Sequence, residues 1–258
     1  MSDFPIPNNA CDLTGQTALV TGTTSGLGWR FAAVLAKAGA KVALTGRRTE
    51  KLEELAKVIR DNGGECAPFR LDMTDMDNIV DVVGQAEEAL GTVSILVNNA
   101  GIPDAQHAHK MKQSLIDDVF DTNLRGPYVL SCEVARRLIA AKLPGRMVNI
   151  SSVGGFHYGG GGAALYSITK AGIARMSEVL AVEWARFHIN VNCIAPGAFS
   201  SEMMDGMVER IGEFYKATPR KRLCDPAQLD STLLYLCAPS SECVTGSVIK
   251  VDDGQGPR

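Results

Sequence analysis

The chain has 258 residues, of which 21% are charged, and its formal net charge is −3. This slightly acidic balance argues against nucleic acid or an anionic membrane as the main partner. No basic stretch followed by an apolar run opens the sequence, and no run of about 18 apolar residues indicates a membrane span. The seven cysteines form no Cys-X-X-Cys pair, which favours reduced thiols in a cytoplasmic protein.

Short β-branched runs alternate with longer helical patterns along the chain, which is typical of a parallel sheet built from β-α-β units. The predicted strands are Thr17–Thr21, Lys41–Thr45, Glu65–Leu71, Ser94–Asn98, Arg146–Ser151, Ile189–Ala195 and Ser247–Val251. The predicted helices are Gly26–Ala38, Thr49–Asn62, Asp75–Leu90, Lys112–Ala141, Ala164–Phe187 and Pro226–Ala238. We therefore expect an α/β fold: a doubly wound, Rossmann-like parallel sheet of about seven strands with helices on both faces. Its ligand crevice should lie at the carboxyl ends of the strands.

No Pro/Ser-rich linker or block of charge divides the chain. We expect a single domain at residues 15–258, after an N-terminal extension at residues 1–14. Two of the predicted helices begin with capping patterns. Thr74 pairs with Asp77 at the third helix, and Asp225 is followed by proline at the last one.

His107 and His109 form a His-X-His pair, which could indicate a metal. The pair falls in a predicted loop, without the i,i+4 spacing of zinc-binding helices or an evident third ligand. The sequence therefore predicts no metal site.

The first predicted strand leads through a glycine-rich turn into the first helix, at Thr21-Gly22-Thr23-Thr24-Ser25-Gly26-Leu27-Gly28. Glycines allow the backbone to approach a pyrophosphate, and the helix N-terminus supplies free N–H groups and a positive dipole end. Taken alone, this spacing also fits a strand–helix turn that binds no ligand. The nucleotide contacts that it predicts are Gly22, Thr24, Ser25, Gly26, Leu27 and Gly28.

Tyr166 and Lys170 lie four residues apart and therefore on one face of a predicted helix. A phenol alone is a poor acid–base group near neutral pH, because its ordinary pKa is about 10. A fixed positive neighbour favours the phenolate and lowers that pKa. The pair predicts proton transfer beside a bound cofactor, although a buried tyrosine with a satisfied hydroxyl would explain Tyr166 alone.

Six motifs follow one another in the chain: Thr21–Gly28, Asn98–Gly101, Asn123–Gly126, Ser151-Ser152, Tyr166–Lys170 and Pro196-Gly197. With these motifs the sequence resembles the short-chain dehydrogenase/reductase superfamily over nearly its whole length. It is similar in particular to the 3-oxoacyl-(acyl-carrier-protein) reductase-like members. The resemblance implies an NAD(P)-dependent enzyme that acts on CH–OH or C=O groups.

The resemblance gives roles to four catalytic residues. Tyr166 exchanges a proton with the substrate oxygen, and Lys170 lowers the pKa of Tyr166 and holds the nicotinamide ribose. Ser152 orients the same oxygen, with Ser151 as second choice, since adjacent residues at an extended strand end point to opposite sides. Asn123 holds a water that relays protons to Lys170.

The resemblance also implies further cofactor contacts, and it places Asp72 against the adenine. As simpler alternatives, Asp72 is a turn residue and Pro196-Gly197 an ordinary turn. Tyr166 and Lys170 belong to the cofactor set as well as to the catalytic one. The remaining contacts are Asp72, Met73, Asn99, Gly101, Pro196, Gly197, Phe199 and Ser201.

The end of the second predicted strand bears on the choice of cofactor. An acidic residue there would hydrogen-bond the adenosine ribose and repel a 2′-phosphate, but the residue is Gly46. Arg47 and Arg48 follow, and a guanidinium suits a phosphate monoester. The sequence therefore favours NADP(H). NAD(H) stays possible, because both arginines also fit solvated helix-entry charges and Ser25 stands where NADP-preferring relatives often carry a basic residue.

Residues 198–222 are rich in Met and aromatic side chains, and the resemblance makes this region a lid over the substrate. Adaptable Met side chains favour a medium or bulky apolar ketone or its alcohol, whereas ordinary helix packing would explain the same composition. We therefore expect an NADP-dependent carbonyl reductase or alcohol dehydrogenase. The alternatives are a 3-oxoacyl-thioester reductase and, ranked last, a non-catalytic nucleotide-binding sensor or scaffold.

The predicted helices Lys112–Ala141 and Ala164–Phe187 carry more apolar surface than one sheet face needs. The resemblance implies that they form a subunit interface. We expect a homotetramer, with a dimer possible.

Overall fold

The computed structural model describes residues 11–256. Residues 1–10 and 257–258 lie outside the described residues, and with them most of the predicted N-terminal extension. In the described part, the strands are β1 (Thr17–Thr21), β2 (Lys41–Gly46), β3 (Cys66–Arg70), β4 (Val93–Asn98), β5 (Gly145–Ile150), β6 (Ile189–Pro196) and β7 (Val248–Val251). These strands form one parallel sheet in the order β3-β2-β1-β4-β5-β6-β7, which confirms the predicted architecture.

Helices cover both faces of the sheet. They are α1 (Gly26–Lys37), α2 (Thr49–Asp61), α3 (Met76–Leu90), α4 (Gln113–Phe120), α5 (Gly126–Ala141), α6 (Ala164–Trp184), α7 (Glu202–Ile211) and α8 (Asp230–Cys237). One face packs against α1, α2 and α8 around residues such as Phe31, Leu52 and Leu233. The other packs against α3, α5 and α6 around residues such as Val83 and Leu130. Because both faces are covered, β1 and β6 are buried along their whole length and carry mainly apolar residues.

The N-terminal boundary of the core lies earlier than the predicted domain start. Leu13 belongs to the predicted extension, but its side chain is fully buried and packs in the core. Its N–H also donates to the carbonyl of Ala38, at the end of α1 (2.8 Å). None of the helices in residues 11–256 is long and apolar enough to cross a membrane.

The predicted helix Lys112–Ala141 is interrupted by a π-helical turn at Asp121–Arg125, between α4 and α5. Pro127 explains the change, because proline has no N–H to donate to the carbonyl of Asn123, four residues earlier. In the wider turn, the Asn123 carbonyl therefore has no α-helical donor. Such turns are frequent at functional sites.

One of the two predicted helix caps is wrong. Asp75, not Thr74, is the N-cap of α3, and its carboxylate accepts from the N–H of Asn78 (3.0 Å). The hydroxyl of Thr74 donates instead to Asp72 (2.9 Å), because α3 begins one residue too late for a Thr74 cap. The Asp225 cap is confirmed, as a capping box on the short 3₁₀ turn that leads into α8.

Candidate active site

The carboxyl ends of the strands open into one large cleft, next to the point where the chain crosses from one half of the sheet to the other. Its volume is about 1000 Å³, at the upper end for ligand sites. Of the predicted catalytic and cofactor residues, all except Gly28 and Asn123 line this cleft. The topology thus brings together residues from six strand ends and two helices.

The turn after β1 has the donors that a pyrophosphate needs. Gly22 and Gly26 have left-handed backbone angles, with φ of +72° and +55°, which glycine adopts without strain. Ser25 is the N-cap of α1 but makes no side-chain hydrogen bond to the first turn. The first N–H groups of α1 have no intrahelical acceptor and border the cleft, so they suit an anionic ligand.

Gly28 and Asn99 pack against the backbone of this turn. A Cβ at Gly28 would lie 2.2 Å from the carbonyl oxygen of Gly22 and 2.4 Å from the Asn99 amide nitrogen. The same amide nitrogen donates to the carbonyls of Thr21 (2.9 Å) and Gly22 (3.3 Å). Gly28 therefore permits close packing of α1 on the sheet and does not line the cleft, while the Asn99 amide fixes the end of β4 against β1.

Arg47, Arg48 and Asp72 line the cleft beside the turn after β1. The Arg47 guanidinium makes no hydrogen bond within the described part of the chain, and its charge acts on Asp72. Burial tends to raise the pKa of Asp72, but hydrogen bonds from Thr74 and nearby arginines outweigh it, and the pKa lies below its ordinary value. A larger side chain at Gly46 would force Thr24 to shift, since a Cβ there would lie 2.7 Å from the Thr24 methyl group.

The Arg48 guanidinium reaches across the cleft to the lid region. It donates to the hydroxyl of Thr24 (2.9 Å) and to the carboxylate of Glu202, the first residue of α7 (3.2 Å). The Ser25 hydroxyl, followed by Arg48, holds the pKa of Glu202 below its ordinary value. A carboxylate of the chain itself therefore occupies donors at the anion-binding end of the cleft.

Tyr166, Ser152 and Lys170 converge at the other end of the cleft. The hydroxyl of Tyr166 is hydrogen-bonded to Ser152, whereas the hydroxyl of Ser151 points away and donates to the carbonyl of Lys170 (2.6 Å). Lys170 is 4% exposed. Its Nζ lies 5.6 Å from the centre of the Tyr166 ring and donates to the carbonyl of Ile150 (2.7 Å).

Burial dominates the electrostatics of this cluster. It raises the pKa of Tyr166, the hydrogen bond with Ser152 opposes that rise, and the charge of Asp104 adds to it. Burial also lowers the pKa of Lys170 to about 8, because a buried ammonium is poorly solvated. The pKa of Tyr166 thus moves in the direction opposite to the expected lowering, and Lys170 is not among the groups that shift it.

Asn123 lies just behind Lys170, in the π-helical turn. Its side-chain oxygen accepts from the N–H of Ile102 (2.8 Å), and its amide nitrogen donates to the carbonyl of Ile102 (2.9 Å) and to Thr169 (3.3 Å). These bonds fix the loop after β4 against α6.

The Pro196-Gly197 turn and the segment after it also border the cleft. The N–H of Gly197 donates to Val251 (2.9 Å), and Gln255 accepts from the N–H of Ala198 (2.7 Å). Phe199 is buried. Ser201 caps α7, a helix that the sequence patterns did not predict, by accepting from the N–H of Met204 (3.2 Å).

The outer part of the cleft is lined by methionine and aromatic side chains, including Met203, Met204, Met207, Tyr158 and Phe214. None of the α7 residues is buried, so the helix presents these methionines to the cleft without a covering layer. His107 and His109 are exposed and stack on each other. Within residues 11–256 no cluster of three or more candidate metal ligands occurs.

Two cleft residues were missed by the sequence analysis. Asp104 is a buried acid in the loop after β4, and Glu202 is the α7 carboxylate that pairs with Arg48. Neither belongs to a motif or a helical spacing. Their positions follow from contacts between segments far apart in sequence.

The comparisons with known proteins decide the family. The sequence model described as short chain dehydrogenase matches residues 16–211. The chain belongs to the short-chain dehydrogenase family. This short-chain dehydrogenase is 33% identical over 245 residues to a gluconate 5-dehydrogenase of Gluconobacter oxydans, with 94% of this chain and 95% of that protein covered.

Two further relatives extend the comparison. A 3-oxoacyl-[acyl-carrier-protein] reductase of Thermotoga maritima is 34% identical over 243 residues, covering 94% of this chain and 98% of that protein. The structure of a putative 2-deoxy-D-gluconate 3-dehydrogenase from Agrobacterium tumefaciens with bound NADP has a TM-score of 0.87 and 31% identity, covering 96% and 98% of the two chains. This short-chain dehydrogenase is accordingly an oxidoreductase of alcohol and carbonyl groups that uses a nicotinamide cofactor, for which the turn after β1 has suitable donors.

Proposed function

We propose that this short-chain dehydrogenase interconverts a ketone and a secondary alcohol with NADP(H), and that Tyr166 is its acid/base. The observation that carries the proposal is the convergence of Tyr166, Ser152 and Lys170 at one end of a cleft whose other end suits phosphates. When bound, the cofactor supplies or accepts the hydride. The chain's own residues orient the substrate oxygen and move its proton.

In the reducing direction, Tyr166 donates its phenolic proton to the carbonyl oxygen, and Ser152 hydrogen-bonds the same oxygen. The raised pKa of Tyr166, caused mainly by burial, keeps the phenol in its donating form at neutral pH. Lys170 holds the nicotinamide ribose. The carbonyl of Asn123 holds a water that returns a proton towards Lys170.

Three observations support NADP(H) over NAD(H). Gly46 stands where an acid would repel a 2′-phosphate, and a side chain there would crowd the Thr24 methyl group. Arg47 lines the cleft without a hydrogen-bond partner among the described residues, so its guanidinium is available to a phosphate. A related structure at 31% identity has NADP bound.

The methionine-lined outer cleft supports a medium or bulky apolar ketone or its alcohol as the substrate. A 3-oxoacyl thioester is the second candidate, because a reductase of that class is 34% identical over nearly its whole length. A keto sugar acid belongs in any substrate panel, since the similar Gluconobacter protein is a gluconate 5-dehydrogenase.

Exposed apolar side chains on α5 and α6 support assembly into a homotetramer or a dimer. Tyr128 is 49% exposed, Ile168 58% and Val182 82%, and unpartnered apolar surface of this kind marks interaction sites. The seven cysteines, all within residues 11–256, form no disulfide. That fits the reducing cytoplasm as the compartment.

Initial rates with NADPH and NADH on apolar ketones, an acetoacetyl thioester and a keto sugar acid test the function, each with wild type and Tyr166→Phe. We expect faster turnover with NADPH and a loss of about 100-fold or more in Tyr166→Phe. Tyr235→Phe, at an exposed tyrosine on α8, is the matched control and should stay active. Cofactor binding without turnover across the panel would instead favour a non-catalytic sensor.

A further inference from the structure

Asp104 connects the loop after β4 to the helix that carries Tyr166. Its side chain is 2% exposed. One carboxylate oxygen accepts from the N–H groups of Leu165 (2.8 Å) and Tyr166 (3.2 Å), and the other accepts from Ala105 (2.9 Å). An acid 61 residues before Leu165 therefore satisfies two of the four N–H groups that the start of α6 cannot satisfy itself.

The start of α6 has no cap from its own segment. Its N-cap residue is Ala163, which has no side-chain cap bond. The preceding Gly160, Gly161 and Gly162 all have left-handed backbone angles, and such a glycine run cannot by itself fix the direction of the helix. Asp104 therefore accepts the free N–H groups of this turn, while the hydroxyl of Ser167 in the same turn donates to the carbonyl of Gly154.

We propose that Asp104 is a positioning residue for the reaction: its carboxylate fixes the first turn of α6, which carries Tyr166, and places a negative charge beside that turn. This inference rests on the proposed role of Tyr166. A negative charge at a helix N-terminus is favourable for the helix, so the same group serves both helix and phenol.

The charged and titratable groups around Tyr166 come from several elements. Lys170 lies on α6 itself, the thiol of Cys193 on β6 faces Lys170, and His157 lines the cleft after β5. Burial is the main cause that raises the pKa of Tyr166, and the charge of Asp104 adds to that rise. The Asp104→Asn substitution removes only the charge of Asp104 and keeps one side-chain oxygen that can cap α6.

The test is the pH dependence of alcohol oxidation, because oxidation requires the phenolate form of Tyr166. Asp104→Asn should keep kcat at high pH within about threefold of wild type, since the cap remains, and should shift the half-maximal rate to lower pH by about 0.5 to 1 unit. Asp104→Ala removes the cap as well and should lower kcat by about tenfold or more. Asp75→Asn, the same change at the N-cap of α3, is the matched control and should leave the profile unchanged.

The outcomes separate this inference from the proposed function. Activity retained by Tyr166→Phe overturns the proposed function and the inference with it. An unshifted profile in folded Asp104→Asn, alongside an inactive Tyr166→Phe, overturns the inference alone. Full kcat in Asp104→Ala overturns the capping role, whereas rescue of kcat by Asn relative to Ala supports it.

Discussion

Replacing Lys170 by methionine should stabilise the folded protein at neutral pH while it removes turnover. Lys170 is 4% exposed, and burial lowers its pKa from 10.5 to about 8. In the unfolded chain the lysine is fully solvated and keeps its ordinary pKa. At neutral pH the folded protein therefore holds an ammonium in a place that favours the uncharged form. Methionine has a similar length and no charge.

The magnitude follows from the change in pKa. A fall from 10.5 to about 8 corresponds to about 3 kcal/mol of lost stability, at about 1.4 kcal/mol for each factor of ten. Methionine also gives up the hydrogen bond to Ile150, which is worth about 1 kcal/mol. The expected net gain of about 2 kcal/mol raises Tm by about 4 to 8 °C for a chain of this size.

The sign of the effect depends on pH in a defined window. Between about pH 8 and 10.5 the unfolded chain holds a proton on Lys170 that the folded protein has released, so the Lys170 contribution to wild-type stability rises with pH across this window. The advantage of Lys170→Met should therefore be greatest below pH 8 and should decline towards pH 10.5.

Urea unfolding of the cofactor-free protein across this pH range, at one protein concentration, measures the advantage. Lys57→Met, at a side chain that is 75% exposed on α2, should show little pH dependence. A Lys170→Met variant that is less stable than wild type at pH 6.5, or an advantage that does not change with pH, would refute the reasoning.

Two further predictions concern the cofactor end of the cleft. Glu202→Gln should lower the Kd for NADPH several-fold more than that for NADH, because it frees Arg48 from its carboxylate partner and removes a negative charge near the phosphates. Fluorescence titration measures both constants, and equal changes for the two cofactors would contradict it. Gly28→Ala should destabilise the protein by about 3 kcal/mol or more, since the new Cβ would lie 2.2 Å from the carbonyl oxygen of Gly22. Thermal unfolding decides that prediction, and an unchanged Tm would show that the turn can open.

The fold was predictable because its signals are local. β1 and β6 were predicted as short β-branched runs, and the structure buries every residue in them. The glycine-rich segment from Gly22 to Gly28 indicates a tight turn between a strand and a helix. Alternation of such segments leaves few topologies, since crossovers between parallel strands are right-handed. The predicted strand ends therefore lie within a residue or two of the observed ends.

What the sequence analysis missed depends on contacts between distant segments. In the sequence, Asp104 has no feature that distinguishes it from other loop acids, because its role depends on hydrogen bonds to α6. Glu202 pairs with Arg48, which lies 154 positions earlier in the chain. The π-helical turn at Asp121–Arg125 had a local signal in Pro127, which apolar periodicity alone does not register. The cap of α3 moved from Thr74 to Asp75, because a one-residue difference in helix start is not encoded in the capping pattern itself.

The arrangement of charges around Tyr166 bears on the direction of catalysis. Reduction of a ketone needs a neutral phenol that donates a proton, whereas oxidation of an alcohol needs the phenolate. Burial and the Asp104 charge both favour the neutral phenol, and Lys170, with its ammonium bonded to Ile150, does not reverse this balance. We therefore expect ketone reduction to be favoured at neutral pH. Alcohol oxidation should require a higher pH. The pH profile of the wild type, recorded as the reference for the Asp104 variants, measures that dependence.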